Sequence, residues 1–291
     1  MSNANFLAML QCIHGSGSVT PFGGATDLRI GVFDSGLGGL SVLREIRRRM
    51  PTANLTYLAD SAWVPYGARS EDVIRVRSLA LSRYLVYHGH DMIVVACNTA
   101  TAAAVPLLRE TFRVPIVGME PAVKPATAAT RSGVVGVLAT VGTLQSARFA
   151  ALLDQFGGDI QVLTRACPGL VEQVEAGELD SPLTRALVTQ FVAPLVKGGA
   201  DTLVLGCTHF PFLRPLIEAT AGPDVRVIDT GEAVARRVRE VAQAAGLQAG
   251  ESGATDFLTS GDASASLGAL RRLWGDAATL AELPAEYAGR S

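Results

Sequence analysis

"LVLGCTHFPFL" (203–213) runs an apolar strand pattern straight into Cys207-Thr208-His209, and "IVVACNTATAA" (93–103) does nearly the same with Cys97-Asn98-Thr99. Short apolar runs that stop at polar or glycine-rich loops and alternate with helix-length stretches indicate a parallel sheet covered on both faces. Working outward from these two, the strands in chain order are "RIGVFDS" (29–35), "NLTYLAD" (54–60), "DMIVVAC" (91–97) and "VPIVGM" (114–119), then "GVVGVLAT" (133–140), "IQVLTRAC" (160–167), "DTLVLGC" (201–207) and "VRVIDT" (225–230). Between them lie helical stretches such as 70–88, where Ser70 can cap and Glu71 and Asp72 suit the first turn, and 231–246, which stops at Gly246. The strands up to Val117 form one set and those from Gly133 to Cys207 another, joined by "EPAVKPATAATRSG" (120–133), helical from Pro121.

The fold class is therefore α/β, with two domains, each a mostly parallel sheet flanked by helices, and a strand-end cysteine loop repeated in both. The first domain is expected at 29–121 and 231–291, the second at 122–230, with 1–28 a flexible extension and 255–275 able to add a strand and a helix. In open parallel sheets ligands bind beyond the carboxyl ends of the strands. Two such sheets facing each other enclose a cleft with one cysteine on each wall.

Composition excludes several function classes. A chain of 291 residues with net charge −2 has no clustered basic surface of the kind nucleic acid requires. The basic run "REIRRRM" (44–50) falls late in a helix, where it reads as a solvated face complementing the helix C-terminus. No apolar run approaches the ~18 residues of a membrane helix, and the leader lacks a basic n-region, so a cytoplasmic protein without membrane contact is expected. Cys12, Cys97, Cys167 and Cys207 match neither a disulfide framework nor a CxxC zinc pattern, and four metal ligands at usable spacing are absent.

A lone strand-end cysteine is commonly buried filler, and Cys167 is read that way, with Cys12 outside the fold. His14, His88 and His90 look solvated, and Glu172 and Glu175 read as surface residues, one of them able to face the cleft. Cys97 and Cys207 differ because both are followed by polar groups, and His209 lies two residues past Cys207, where a base favours a thiolate. In "GVFDSGLGG" (31–39), Gly36, Gly38 and Gly39 let the backbone approach a ligand, and the helix N-terminus favours an anion. Asp34 and Ser35 beside an anion site suit a zwitterion. The loop "ADSAWVPYGARS" (59–70), with Pro65, Tyr66 and Gly67, could hold a second carboxylate on backbone N–H groups.

With a small zwitterion between the walls, one thiolate removes the α-proton from one face while the opposite thiol returns a proton to the other. That inverts the stereocentre, provided donors in the site stabilise carbanionic character. "GVFDSGLGG", "PYG", "ACNTA", "LATVGT", "ACPGLVEQVE" and "GCTHFP", in this order, resemble the bacterial glutamate racemase family over residues 29 to 250. The resemblance implies pseudo-symmetric α/β domains, no cofactor, an active site between the domains, D-glutamate for peptidoglycan as product, and often a homodimer. It implies Cys97 as the base toward the D-enantiomer and Cys207 as the base toward the L-enantiomer. Asp34 and His209 would assist those cysteines, with Glu175 a further acidic residue near the second. Substrate contacts would fall on Asp34, Ser35, Pro65, Tyr66, Gly67, Asn98, Thr99, Thr208 and His209, with Thr140 and Thr143 added. An aspartate racemase, a non-catalytic amino-acid-binding protein, and a metal or redox protein are the alternatives.

Overall fold

The apolar runs Met92–Val95 and Thr202–Leu205 are buried at every position, as strands with helices on both faces must be. A computed structural model describes residues 27–158, 160–248, 250–251 and 253–289 of the protein. The first half comprises β1 (Arg29–Asp34), α1 (Leu40–Arg49), β2 (Asn54–Ala59), a 3-10 turn at Tyr66–Ala68, α2 (Glu71–Tyr87), β3 (Met92–Val95), α3 (Asn98–Thr111) and β4 (Ile116–Val117). A crossing helix α4 (Val123–Ala129) leads to β5 (Val134–Ala139), α5 (Val141–Leu144), α6 (Ala147–Phe156), β6 (Gln161–Ala166), α7 (Leu170–Glu175) and α8 (Pro182–Lys197). Next come β7 (Thr202–Leu205), a 3-10 turn at Phe210–Leu213, α9 (Arg214–Ala221) and β8 (Arg226–Ile228). The chain closes with α10 (Gly231–Ala244), β9 (Thr255–Thr259), α11 (Ala263–Trp274), β10 (Ala281–Glu282) and α12 (Ala285–Ala288).

Two wholly parallel sheets result, in the orders β10-β9-β2-β1-β3-β4 and β6-β5-β7-β8. The segment β2-β1-β3-β4 has the same connectivity as β6-β5-β7-β8, so the strand order reverses once in each sheet, between β1 and β3 and between β5 and β7. Those reversals are where an open sheet parts its loops to make a binding crevice. The match extends to single hydrogen bonds. Ala96 N–H donates to Phe33 O (2.8 Å) and Gly206 N–H to Leu138 O (2.7 Å), each acceptor being the next-to-last residue of the central strand. The next residue in each case is the cysteine.

Both cysteines lie two residues beyond the ends of their strands rather than at them, because the last ladder bond falls on Ala96 and Gly206 and the chain then turns. The segment 225–230, a strand expected within 122–230, pairs with β7 through Arg226–Ile228 and widens the second sheet. β9 and β10 extend the first sheet at the β2 edge. The helix at 231–244 packs on α1. Leu28 is buried and its N–H donates to Gln248 O (3.1 Å), so the packed body starts before Arg29. The remainder of the leader, with Cys12 and His14, lies outside the described residues.

Two side-chain readings are revised. The basic run is only partly a solvated face: Arg47 turns its guanidinium onto the carbonyls of Pro51 and Ala53, at 2.7 and 2.8 Å, and Arg44 onto Leu273 O. His90, expected in solvent, is buried, because its Nδ1 lies 2.9 Å from Leu85 O in the turn that ends α2. Cys167 is buried, as a filler thiol should be, and burial pushes its pKa up further.

Candidate active site

Asp34 is the last residue of β1 and is fully buried. Its Oδ1 accepts from Ser35 N–H (2.6 Å) and Ser35 Oγ (3.2 Å), and its Oδ2 accepts from Thr208 Oγ1 (2.9 Å). Cys97 is a further hydrogen-bond partner of the carboxylate. Burial raises the Asp34 pKa above the ordinary carboxylate value, against the opposing pull of the positive charge on His209 and of the donors from Thr208, Cys97 and Ser35. Both oxygens are engaged, and the carboxylate stands behind Ser35, Cys97 and Thr208 rather than in the lining of the pocket.

Cys97 caps α3, its Sγ accepting the Ala100 N–H at 3.4 Å. Burial drives the thiol pKa well above the ordinary value, and the nearby Asp34 charge acts in the same direction; the Ala100 N–H only partly offsets them. At rest Cys97 is thus a neutral thiol donating to Asp34. Asn98 and Thr99 follow on the first turn of α3. Asn98 is buried with neither Nδ2 nor Oδ1 partnered among the described residues, an amide aimed into the pocket with donor and acceptor both free.

On the opposite wall Cys207 Sγ lies 3.6 Å from His209 Nδ1, and His209 Nε2 lies 2.6 Å from Glu175 Oε1. Burial alone would lower the His209 pKa, but hydrogen bonds to Cys207 and Glu175 and the negative charges on both raise it well above the ordinary value. An imidazolium beside a sulfur is the arrangement that favours a thiolate. The two walls therefore give their sulfurs different partners, a buried carboxylate at Cys97 and an imidazole at Cys207.

The glycine-rich turn has a different role from the one expected of it. The anion at the start of α1 is Glu175 itself, whose Oε1 accepts the Leu37 N–H at 2.6 Å. A Cβ on Gly36 would stand 2.1 Å from Glu175 Oε1, and one on Gly38 would stand 2.3 Å from His209 Nδ1, so these positions are glycine to admit side chains from the second sheet. Tyr57 Oη braces the same turn by donating to Gly36 O (2.6 Å). Glu175 is consequently no surface residue, whereas Glu172 on the same helix is exposed.

Pro65, Tyr66 and Gly67 line the pocket from the first sheet's side, with Ser35, Asn98, Thr99 and Cys97. Thr140, Thr143, Cys207, Thr208 and His209 line it from the other. The Tyr66 hydroxyl is spent on Asp60 Oδ2 (2.5 Å), which leaves its ring and backbone to face the pocket. Thr99 Oγ1 meets Thr140 Oγ1 at 3.0 Å and Thr143 Oγ1 at 3.1 Å, a hydroxyl cluster that joins the two walls. Val171 and Gly206 also line the pocket and are not among the residues expected from the sequence. Gly206 directly precedes Cys207 and is readable from that adjacency, while Val171 gives no local signal. Free space between the walls amounts to about 10 Å³, room for roughly one water.

The family model described as Asp/Glu/hydantoin racemase matches residues 30–238. A glutamate racemase of Stutzerimonas stutzeri is 55% identical over 256 residues, covering 88% of this chain and 97% of the relative. A crystal structure of a glutamate racemase isoform from Bacillus anthracis aligns with TM-score 0.82 at 33% identity, covering 90% of this chain and 99% of that one. A structure of Escherichia coli glutamate racemase, in complex with L-glutamate and an activator, aligns with TM-score 0.79 at 33% identity over 89% of this chain and 98% of that one.

Proposed function

The chain belongs to the Asp/Glu/hydantoin racemase family, and on that premise we propose that this isomerase interconverts L- and D-glutamate without a cofactor, supplying D-glutamate for peptidoglycan. The observation that carries the reading is the matched pair of cysteines, each two residues past its strand, lining one pocket from two sheets, one backed by Asp34 and the other by His209 and Glu175.

The reaction is built on that pairing. A thiolate at Cys207 takes the α-proton of L-glutamate, breaking the Cα–H bond and forming S–H. The neutral thiol of Cys97 gives its proton to the opposite face of the carbanion and is left as a thiolate. The product is D-glutamate, and the two sulfurs have exchanged states, so the enzyme is set for the reverse reaction. Asp34 stands beside the Cys97 sulfur and His209 beside the Cys207 sulfur, each placed to answer the change of charge there. Asn98 and the hydroxyls of Thr99, Thr140, Thr143, Ser35 and Thr208 supply donors for substrate carboxylates and developing α-carbanion charge. Admitting substrate exchanges the Thr99 contacts across the pocket for contacts to the ligand.

The domain division proposed is 29–121 with 231–291, and 122–230, supported by the sheet membership of the strands. A cytoplasmic homodimer accompanies the reading; among the described residues no helix is long and apolar enough to cross a membrane, and light scattering tests the dimer. Incubating the protein with L-glutamate in deuterated water, with optical rotation and the α-proton signal followed together, tests the function. Rotation should decay to zero as deuterium enters Cα. Exchange with L-aspartate and not L-glutamate would transfer the reading to an aspartate racemase, and no exchange with either would leave a binding protein.

A further inference from the structure

The pocket wall formed by Pro65, Tyr66 and Gly67 belongs to the loop between β2 and α2, and its ties lead away from the pocket. Asp60, at the end of β2, is fully buried and Arg77, on α2, is 2% exposed. Arg77 Nε donates to Asp60 Oδ2 (3.0 Å) and Arg77 Nη2 to Asp60 Oδ1 (2.8 Å), a two-pronged pair whose Oδ2 also receives the Tyr66 hydroxyl. The same Nη2 donates to Tyr287 O (2.7 Å), and Trp63 Nε1 donates to Ala288 O (3.1 Å). The Arg77 guanidinium lies over the Trp63 ring at 5.2 Å, and Tyr287 packs edge-on against Tyr84 of α2 at 5.2 Å. None of these groups lines the pocket apart from Tyr66.

We propose that α12, at the far end of the chain, is a clasp that fixes the substrate-facing loop 61–69, with Asp60 and Arg77 as the positioning residues that transmit its hold to Tyr66. A buried arginine–carboxylate pair is costly to desolvate and is retained where its fixed geometry serves. Here the Arg77 fork ties helix α2 and the base of the loop to the Tyr287 carbonyl of α12, some 210 residues on in the chain, and Trp63 of the loop takes the Ala288 carbonyl beside it. The clasp acts on substrate capture, because the loop supplies a wall and no reacting atom. Its kinetic consequence rests on the racemase reading; its structural consequence does not.

The test compares the wild type with a chain ended after Pro284, which keeps β10, and with Trp63→Phe, which removes the bond to Ala288 O and leaves a smaller ring under Arg77. In the shortened chain KM for L-glutamate should rise about tenfold with kcat changed far less, and Trp63→Phe should show a smaller rise in the same direction. Amide exchange of residues 61–69, followed by mass spectrometry, should speed up in both variants. Unchanged exchange in that loop would overturn the clasp whatever the activity, and so would an unchanged KM in an active Trp63→Phe. If the shortened chain does not fold, Trp63→Phe decides alone. A wild type that fails to racemise glutamate would defeat the racemase reading and leave the exchange result to judge the clasp.

Discussion

Cys97 and Cys207 leave equivalent strands in equivalent register, yet the first faces a carboxylate and the second an imidazole. The difference begins with the residues just after each cysteine. After Cys97 the chain enters α3, a full helix whose Ala100 amide reaches the sulfur; after Cys207 it enters only the 3-10 turn Phe210–Leu213. On the first wall the helix favours negative charge, but burial and Asp34 outweigh it and the thiol stays neutral. On the second wall no α-helix begins at the sulfur, and His209, buttressed by Glu175 and by the Leu37 N–H, brings the positive charge instead. A repeated scaffold has thus been given opposite electrostatic partners, which is what a proton donor and a proton acceptor on two faces of one carbon require.

The largest effects should come from the sulfurs. Cys97→Ser and Cys207→Ser should each cut racemisation by about 10³-fold or more, since a hydroxyl cannot stand in for a thiolate base. Comparable activity in either variant would remove the two-base account. Next, Asp34→Asn and His209→Asn should each cost on the order of 10²-fold. Their signatures should differ: the α-deuterium isotope effect should grow more for the enantiomer whose proton is taken by the cysteine that lost its partner. Equal changes for both enantiomers in both variants would mean the two walls are not specialised.

Glu175→Gln should cost about tenfold in kcat/KM and shift the basic limb of its pH profile to lower pH, because His209 loses the partner that helps hold its proton. The same raised pKa carries a stability sign. A group whose folded pKa is raised stabilises fully below the unfolded imidazole value of about 6.5, and the benefit is lost as pH rises through the folded value. The stability gap between wild type and Glu175→Gln in urea melts should therefore narrow from pH 6 toward high pH. The smallest effect should come from Gly36→Ala, whose methyl would displace Glu175 Oε1. A destabilisation of about 1–3 kcal/mol with a partial loss of activity is expected, measured by denaturant melts.

Much of this organisation is legible in the sequence because it is written in local signals. Apolar runs near Ile93 and Leu203 announce buried parallel strands, and polar residues after Cys97 and Cys207 distinguish those thiols from Cys167. The illegible part depends on contacts between segments far apart. Glu175 shares its helix with exposed Glu172, and only the approach of Leu37 and His209 tells them apart. The turn at Gly36–Gly39 reads as a ligand cradle because backbone amides at a helix start attract any anion, and here the anion is internal. Tyr66 is legible as a wall residue, but the use of its hydroxyl by Asp60 is not, since that pair is completed by Arg77 and the carbonyl of Tyr287. His90 looks solvated at a helix end until the Leu85 carbonyl folds back to meet its ring.

The central claim, two sulfurs serving opposite faces of one carbon, is tested most directly by where solvent deuterium first appears. L-glutamate should be incubated with the enzyme in deuterated water and sampled early, with the L and D pools separated before mass analysis. Two opposed bases predict that nearly every new D-glutamate molecule carries deuterium at Cα while the remaining L-glutamate stays unlabelled. Deuterium entering recovered L-glutamate as fast as it enters D-glutamate would mean that one group handles both faces, and would contradict the account.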